Sequence, residues 1–401
     1  MLLNLLHKLV KIISQLLLVF IIEYGGNEFK SGTPLRPRLY TNNKGTFVRD
    51  VDQFKEIEIN GSKVKFIDFD NDNDLDLCIT SDVEKTVFGK SAQQYLFEND
   101  GTGNFRDVTK TIAPGFQRIG NVKDVVFEDL NGDRKKDLIV IGHWMPVTIF
   151  LNVNNQFIKS YFGGLEKSNG WWNTIKANDF DRDGDVDLIV GNWGLNSRLQ
   201  ASEDLPVTLY SYDFDDNGYK DPVISYYYKG EETLFSSKEE LAKQLPSINK
   251  KYLTHESFAN ASFKDILTTS KLRKSEKKRV YELATCYFEN LGQQKFKKQP
   301  FPYFGQISAI NDIFVYDFNK DAYPDIMLAG NNYELNTQLS KLDASHGEVL
   351  INDQKGGFSY VPYYHFGIQG TVQAHRKIKI KDKTYLLVAR NNDSILSYII
   401  E

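Results

Sequence analysis

Cysteine is nearly absent from this sequence. Only Cys78 and Cys286 occur in 401 residues, so neither a disulfide framework nor a cysteine-based zinc site can be built. The pair is read as two buried free thiols, with a single bridge as the alternative. Histidine is scarce too, and His7, His143, His255, His346, His365 and His375 show no metal-ligand spacing. There is no Gly-x-Ser-x-Gly elbow, no P-loop and no Rossmann fingerprint. A catalytic group assembled from distant segments stays open. An excess of basic charge is also missing: 53 acidic residues stand against 49 basic ones for a net charge of −4. Nothing in that balance points to the cationic face a nucleic-acid partner requires, and no nucleic-acid partner is expected. Long apolar runs are confined to residues 1–22, where Lys8 and Lys11 precede the run from Ile12 to Ile22. This reads as a signal or anchor segment, although the run is short for a membrane span and no small-residue cleavage site follows. In the competing reading, Leu18–Tyr24 is a core strand of a first repeat that the chain enters partway. Membrane contact is expected only if residues 1–22 are an uncleaved anchor.

Apolar residues are not lacking. They make up 41% of the chain and aromatics 13%, enough for a large core. Short strand-like runs rich in Val, Ile, Phe and Tyr recur throughout. Between five pairs of them lies a nine-residue acidic loop: DFDNDNDLD from Asp68, DLNGDRKKD from Asp129, DFDRDGDVD from Asp179, DFDDNGYKD from Asp213 and DFNKDAYPD from Asp317. A second element alternates with the loops, an apolar strand and an Asn/Gly turn followed by an aromatic, as in YLFENDGTGNF, CYFENLGQQKF and VLINDQKGGF. Asn and Gly tolerate positive φ, so these are hairpins.

One loop and one hairpin together make a four-stranded antiparallel sheet of about 50 residues, within the usual strand and sheet sizes. Such a sheet must stack on its neighbours, and radial stacking gives a β-propeller. With a fragmentary sheet before residue 58 and a loop-free one after residue 365, the fold expected over residues 23–401 is an all-β β-propeller, seven-bladed in the first reading with six or eight blades as the alternatives. The starts of the loops are unevenly spaced, which fits repeats carrying insertions. Ser237-Lys-Glu-Glu240 and Ser262-Phe-Lys-Asp265 have capping-box spacing, and Leu241, Leu245 and Ile248 continue an apolar stripe. Residues 236–285 are therefore expected to be a small helical insertion within a blade.

Oxygen side chains on alternate positions of a tight turn can surround a hard cation. The candidate ligands are Asp68, Asp70, Asp72, Asp74 and Asp76; Asp129, Asn131, Asp133, Lys135 and Asp137; Asp179, Asp181, Asp183, Asp185 and Asp187; Asp213, Asp215, Asn217, Tyr219 and Asp221; and Asp317, Asn319, Asp321, Tyr323 and Asp325. Position 7 varies too much to ligate through its side chain, so its backbone carbonyl is the expected donor. An EF-hand is excluded, because its position-12 Glu is replaced by Ile79, Val140, Val190, Ile224 and Leu328, all within strands. Like charges about 4 Å apart repel by about 1–4 kcal/mol at effective dielectrics of 80 to 20, so a cation should close each loop and join the folding energy. Donors that are oxygen only select Ca²⁺, with Mg²⁺ or Mn²⁺ as weaker competitors. Position 6 should need positive φ. Gly184 and Gly218 suit it and Asn73 tolerates it, whereas Arg134 and Ala322 should strain it.

The repeated D-x-[DN]-x-[DN]-x-x-x-D, with YLFENDGTGNFRDVT, resembles the FG-GAP/VCBS repeats of integrin α-subunit propellers. GNNYELNTQLSKLDASHGEVLIND and GHWMPVTIFLN further resemble secreted bacterial relatives of the cartilage acidic protein and the ASPIC/UnbV group, over about residues 25–401. No clear ASPIC/UnbV domain follows the repeats. The resemblance implies a calcium-binding propeller, with Asp179, Asp181, Asp183, Asp185 and Asp187 and their counterparts as ligands; Arg134 and Ala322 depart from the pattern.

Trp144, Trp171, Trp172 and Trp193 lie in or beside amide-rich turns. They are candidates for contact with a peptide or sugar, the competing role being to wedge between blades. The expected function is a noncatalytic, calcium-binding interaction module for a protein or glycan, secreted, periplasmic or at the cell surface. The alternative is a propeller-type polysaccharide lyase or hydrolase with its site on one face.

Overall fold

A computed structural model describes residues 18–22, 31–85, 87–335 and 339–401. Most of the proposed signal or anchor, residues 1–17, lies outside the described residues, as do residues 23–30. Leu18–Ile21 is a strand paired with Arg38–Asn43. Among the described residues no helix is long and apolar enough to cross a membrane.

The described residues form an all-β structure of seven antiparallel sheets. Six follow one another along the chain, and the seventh is inserted within the fourth. The first sheet contains Leu18–Ile21, Arg38–Asn43 and Thr46–Asp50, and the second Asn60–Ile67, Asp76–Val83, Tyr95–Asn99 and Phe105–Asp107. The third is built on Asn121–Glu128, Asp137–Met145, Thr148–Val153 and Gln156–Ser160, with the short strand Gly170–Trp171 added. The fourth takes Thr174–Asn178 and Asp187–Gly191 and is completed by Cys286–Asn290 and Phe296–Pro300. The fifth contains Ile310–Tyr316, Asp325–Gly330, Glu348–Asn352 and Phe358–His365, and the loop-free sixth Val372–Ile380, Lys383–Arg390 and Leu396–Ile399.

The inserted sheet corrects the expected series. It consists of Val207–Tyr212, Asp221–Tyr228, Glu231–Leu234 and Glu276–Val280. The hairpin CYFENLGQQKF therefore belongs with the Asp179 loop and not with the Asp213 loop that precedes it in sequence. The helical segment is correspondingly shorter than residues 236–285. Five short helices run from Lys238–Gln244 to Thr269–Lys274, and Glu276–Val280 returns as a strand against Val207–Ser211. Both expected capping boxes form, at Ser237/Glu240 and Ser262/Asp265. A third, Thr254/Ser257, was not foreseen. Leu241, Leu245 and Ile248 pack on Tyr210, Phe214 and Val223 of the inserted sheet.

Burial explains the difference in strand composition. The strand after the acidic loop is buried at every residue in Asp76–Val83, Asp187–Gly191 and Asp325–Gly330, which is why consecutive apolar residues follow the position-9 Asp without alternation, as in Leu77-Cys78-Ile79 and Leu188-Ile189-Val190. In the inserted sheet the equivalent strand, Asp221–Tyr228, is buried at only some positions, with helices covering it. By contact the chain divides into two compact units, Met1–Lys123 with Val153–Ile158, and Asp124–Asn152 with Lys159–Glu401. Leu39, Ile59, Leu77, Ile79 and Phe97 centre the core of the first unit. The second contains a cluster including Ile139, Ile149, Leu188, Val190 and Phe288. Burying each such side chain contributes about 1.5–3 kcal/mol. Cys78 and Cys286 are buried and not joined by a disulfide.

Candidate metal-binding loops

Each acidic loop joins the first two strands of its sheet and closes through the same hydrogen bonds. The position-2 amide donates to Oδ2 of the position-9 Asp: Phe69 to Asp76 at 3.1 Å, Leu130 to Asp137 at 2.9 Å, Phe180 to Asp187 at 3.1 Å, Phe214 to Asp221 at 2.8 Å and Phe318 to Asp325 at 2.8 Å. The position-6 amide donates to Oδ2 of the position-1 Asp in all five, from 2.7 Å at Arg134 and Gly218 to 3.1 Å at Asn73 and Gly184. The backbone that permits this is left-handed at position 6, with φ of 74° at Asn73, 67° at Arg134, 98° at Gly184, 89° at Gly218 and 75° at Ala322. Position 4 is left-handed as well, at Asn71, Gly132, Arg182, Asp216 and Lys320. The sequence carries little sign of that second turn, because only Gly132 suits it by the absence of a Cβ.

The position-9 carboxylates are buried, between 0% and 5% exposed. Burial pushes Asp76 up to about 7 and Asp187 to about 6, despite the amides donating to them. Asp137, Asp221 and Asp325 are raised for the same first reason. In four of the loops the hairpin asparagine, whose role sequence reasoning missed, completes the support. Asn99, Asn152, Asn290 and Asn352 each donate their backbone N–H to Oδ1 of the position-9 Asp at 2.7–2.9 Å. The side-chain amide of each donates to the position-8 carbonyl. Its signal was the Asn that closes the third strand in four of the hairpins. In the inserted sheet the helical segment supplies Gln244 instead, whose Nε2 donates to Pro222 O at 3.1 Å. At the Asp179 loop the Tyr287 hydroxyl also donates to Asp187, at 2.7 Å.

Carboxylate oxygens converge within 4.8 Å of one another in three loops, from Asp68, Asp70 and Asp76, from Asp179, Asp181 and Asp187, and from Asp213, Asp215 and Asp221. Each of these loops also holds a buried oxygen with no hydrogen-bond partner: Asp74 Oδ1, Asp179 Oδ1 and Asp215 Oδ1. A buried polar atom is normally satisfied, and leaving one unmade costs about 1–3 kcal/mol. A divalent cation among the converging carboxylates would satisfy Asp179 Oδ1 and Asp215 Oδ1, so the residues present fit one; Asp74, at position 7, stands outside the converging trio of its loop. The other two loops have Asn at position 3, and amides already occupy some of their acceptors. Asn131 donates to Asp133 at 3.3 Å, and Asn319 and Gln354 to Asp321 at 3.0 and 2.9 Å.

The tryptophans lie mainly inside. Trp144 is 7% exposed, Trp171 8% and Trp172 0%, and Trp172 Nε1 donates to Ser168 O at 2.7 Å. Trp144, Trp171 and half-buried Trp193 stand edge to face in a row, with centroids 5.2 Å apart in both pairs. This is packing, and it leaves only Trp193 a partly open surface.

Residues 84–140 and 129–190 match the family model of the FG-GAP-like repeat. The chain thus carries FG-GAP-like repeats across the Asp129 and Asp179 loops, and no catalytic family is indicated. The match does not extend to the narrower ASPIC/UnbV group. No curated protein matches. Among solved structures, similarity reaches an Agrocybe aegerita lectin that recognises non-reducing terminal N-acetylglucosamine, with a TM-score of 0.42 and 13% identity over 96% of this chain and 80% of that one. The V. cholerae biofilm matrix protein Bap1 follows at a TM-score of 0.28 and 9% identity, over 89% and 72% of the two chains. Likenesses this distant carry no argument about what this chain binds.

Proposed function

We propose that this chain is a calcium-stabilised β-propeller of FG-GAP-like repeats that presents its loops to a protein or glycan outside the cytoplasm, without catalytic turnover. The observation that carries the calcium reading is the closed loop whose converging carboxylates include an unpartnered buried oxygen, found at Asp179 and Asp215. At the Asp179 loop the ion would be held by Asp179, Asp181, Asp183 and Asp187 with the Asp185 carbonyl; the Asp68 and Asp213 loops offer the corresponding sets. The Asp129 and Asp317 loops hold it more weakly, with Asn131 and Asn319 in place of a carboxylate. Bound calcium supplies the positive charge that lets the carboxylates stay together. The protein's own share is the frame: left-handed turns aim the oxygens inward, and the hairpin asparagines fix the deepest carboxylate. The six serial sheets are read as the blades and the inserted sheet as an addition to the fourth.

An extracellular setting suits such sites, since extracellular calcium modules bind at about 10⁻⁴–10⁻³ M. Thermal melting across a calcium titration tests the first half of the proposal: a melting temperature that rises with calcium and falls with chelator is expected, and an unchanged one overturns it. A glycan and secreted-protein array in calcium tests the second half. Saturable binding without product is the expected result, and turnover of a polysaccharide would replace the binding module by an enzyme.

A further inference from the structure

Two of the acidic loops are joined to each other. Phe180, at position 2 of the Asp179 loop, donates its N–H to Asp187 at 3.1 Å, and its carbonyl accepts from Asn352 Nδ2 at 2.7 Å. Asn352 is also the hairpin asparagine of the Asp317 loop. Its N–H donates to Asp325 Oδ1 at 2.8 Å and its amide to Pro324 O at 3.1 Å. One buried side chain thus grips both loops. The Phe180 ring meets Phe358 of the same hairpin edge to face at 5.8 Å, and both belong to one core cluster with Tyr287, whose hydroxyl holds Asp187.

A second link runs across the exposed side. Arg182, at left-handed position 4 of the Asp179 loop, donates to the Ala322 carbonyl and lays its guanidinium 4.5 Å over the Tyr323 ring. Ala322 is the strained position 6 of the Asp317 loop, and its N–H donates to Asp317 at 2.9 Å. That residue is therefore fixed on one side by its own loop and on the other by its neighbour's.

We infer that the Asp179 and Asp317 loops are a coupled pair, in which closing the first around a divalent cation orders the second through Arg182 and Asn352. The cause is mechanical. Arg182 lies between Asp181 and Asp183, which converge when the first loop closes, so the cation sets where the guanidinium is aimed. The link compensates the Asp317 loop for its sparser carboxylates and for the alanine at position 6. Arg182 acts here as a positioning residue.

The inference rests on the calcium reading, and peptide-level hydrogen exchange with calcium chloride alone separates the two. The Asp68 loop, with no such link to Arg182, is the internal control. In the wild type, calcium should slow exchange at residues 68–76, 179–187 and 317–325. Exposed Arg182 can be replaced without a cavity. In Arg182→Ala the calcium-dependent protection of 317–325 should fall by about fivefold or more, the usual scale of coupling between sites, while 68–76 and 179–187 keep theirs. Arg182→Lys should restore part of it by keeping the charge. Asp181→Asn with Asp183→Asn should remove protection from 179–187 and weaken it at 317–325. Equal protection of 317–325 in the wild type, in Arg182→Ala and in the Asp181→Asn/Asp183→Asn double variant overturns the coupling while calcium binding stands. No protection at any loop, 68–76 included, overturns the calcium reading and the coupling together.

Discussion

Arg134 and Ala322 carry a Cβ where the backbone has φ of 67° and 75°. Left-handed conformation costs an L-residue about 1–2 kcal/mol, and glycine gives back about 0.5–1 of that in unfolded-state entropy. Ala322→Gly should therefore stabilise the protein by up to about 1 kcal/mol in calcium-free denaturant titration. Away from the loops, Asp312 is buried, accepts the His375 N–H at 2.6 Å and has Lys176 Nζ at 3.3 Å. Burial alone would raise its carboxyl, but His375 and Lys176 hold it well below the usual carboxylate range. A depressed folded value stabilises above the unfolded pKa of about 4 and is lost as pH falls below it. Asp312→Asn should then cost about 3 kcal/mol at pH 7, and its gap from the wild type should narrow in urea titrations at pH 3. The tryptophans argue at the same scale: saccharide titration should leave the fluorescence of buried Trp144, Trp171 and Trp172 unchanged and alter at most that of Trp193.

Hairpins and loops are paired elements, and the asparagine at the end of the third strand joins them. Asn290→Ala removes two side-chain hydrogen bonds, to Val186 O at 3.2 Å and from the Gly292 N–H at 3.1 Å, whereas Asn352→Ala removes three, to Phe180 O and Pro324 O and from the Gln354 N–H. With a hydrogen bond worth about 1 kcal/mol net, Asn352→Ala should destabilise by about 1 kcal/mol more than Asn290→Ala, measured by denaturant unfolding. Much at this scale was legible. Alternating oxygens located every loop, Gly184 and Gly218 announced the left-handed turn, and the two serine capping boxes placed their helices. What misled was adjacency along the chain. CYFENLGQQKF follows the Asp213 loop in sequence, yet Asn290 bonds Asp187 across the insertion. A hint was present in Asp221–Tyr228, where Pro222 and a run of tyrosines mark a strand covered differently from the wholly buried Asp187–Gly191.

For the whole molecule, calcium should act as a ligand of the folded state. Each site occupied at a hundredfold excess over its dissociation constant adds about 2.7 kcal/mol. Melting temperature should climb with calcium, and replacing Asp72, Asp183 and Asn217 by Ala should remove most of that climb. The all-β class was readable because apolar runs of strand length recur between turn signals. The order of the sheets was not readable, since which strands pair is decided by packing and not by distance along the chain, and the seventh sheet came from an insertion and not from a further unit in the series. That order has a cost in time. The fourth sheet holds Thr174–Asn178 and Asp187–Gly191 but lacks its third strand until Cys286–Asn290 has been made. At translation rates of about 5–20 residues per second, the edge of Asp187–Gly191 waits roughly five to twenty seconds on the ribosome for its partner. The inserted sheet gains its own last strand, Glu276–Val280, only just before Cys286–Asn290 is made, so both sheets are completed together and late, by neighbouring strands of one short stretch of chain.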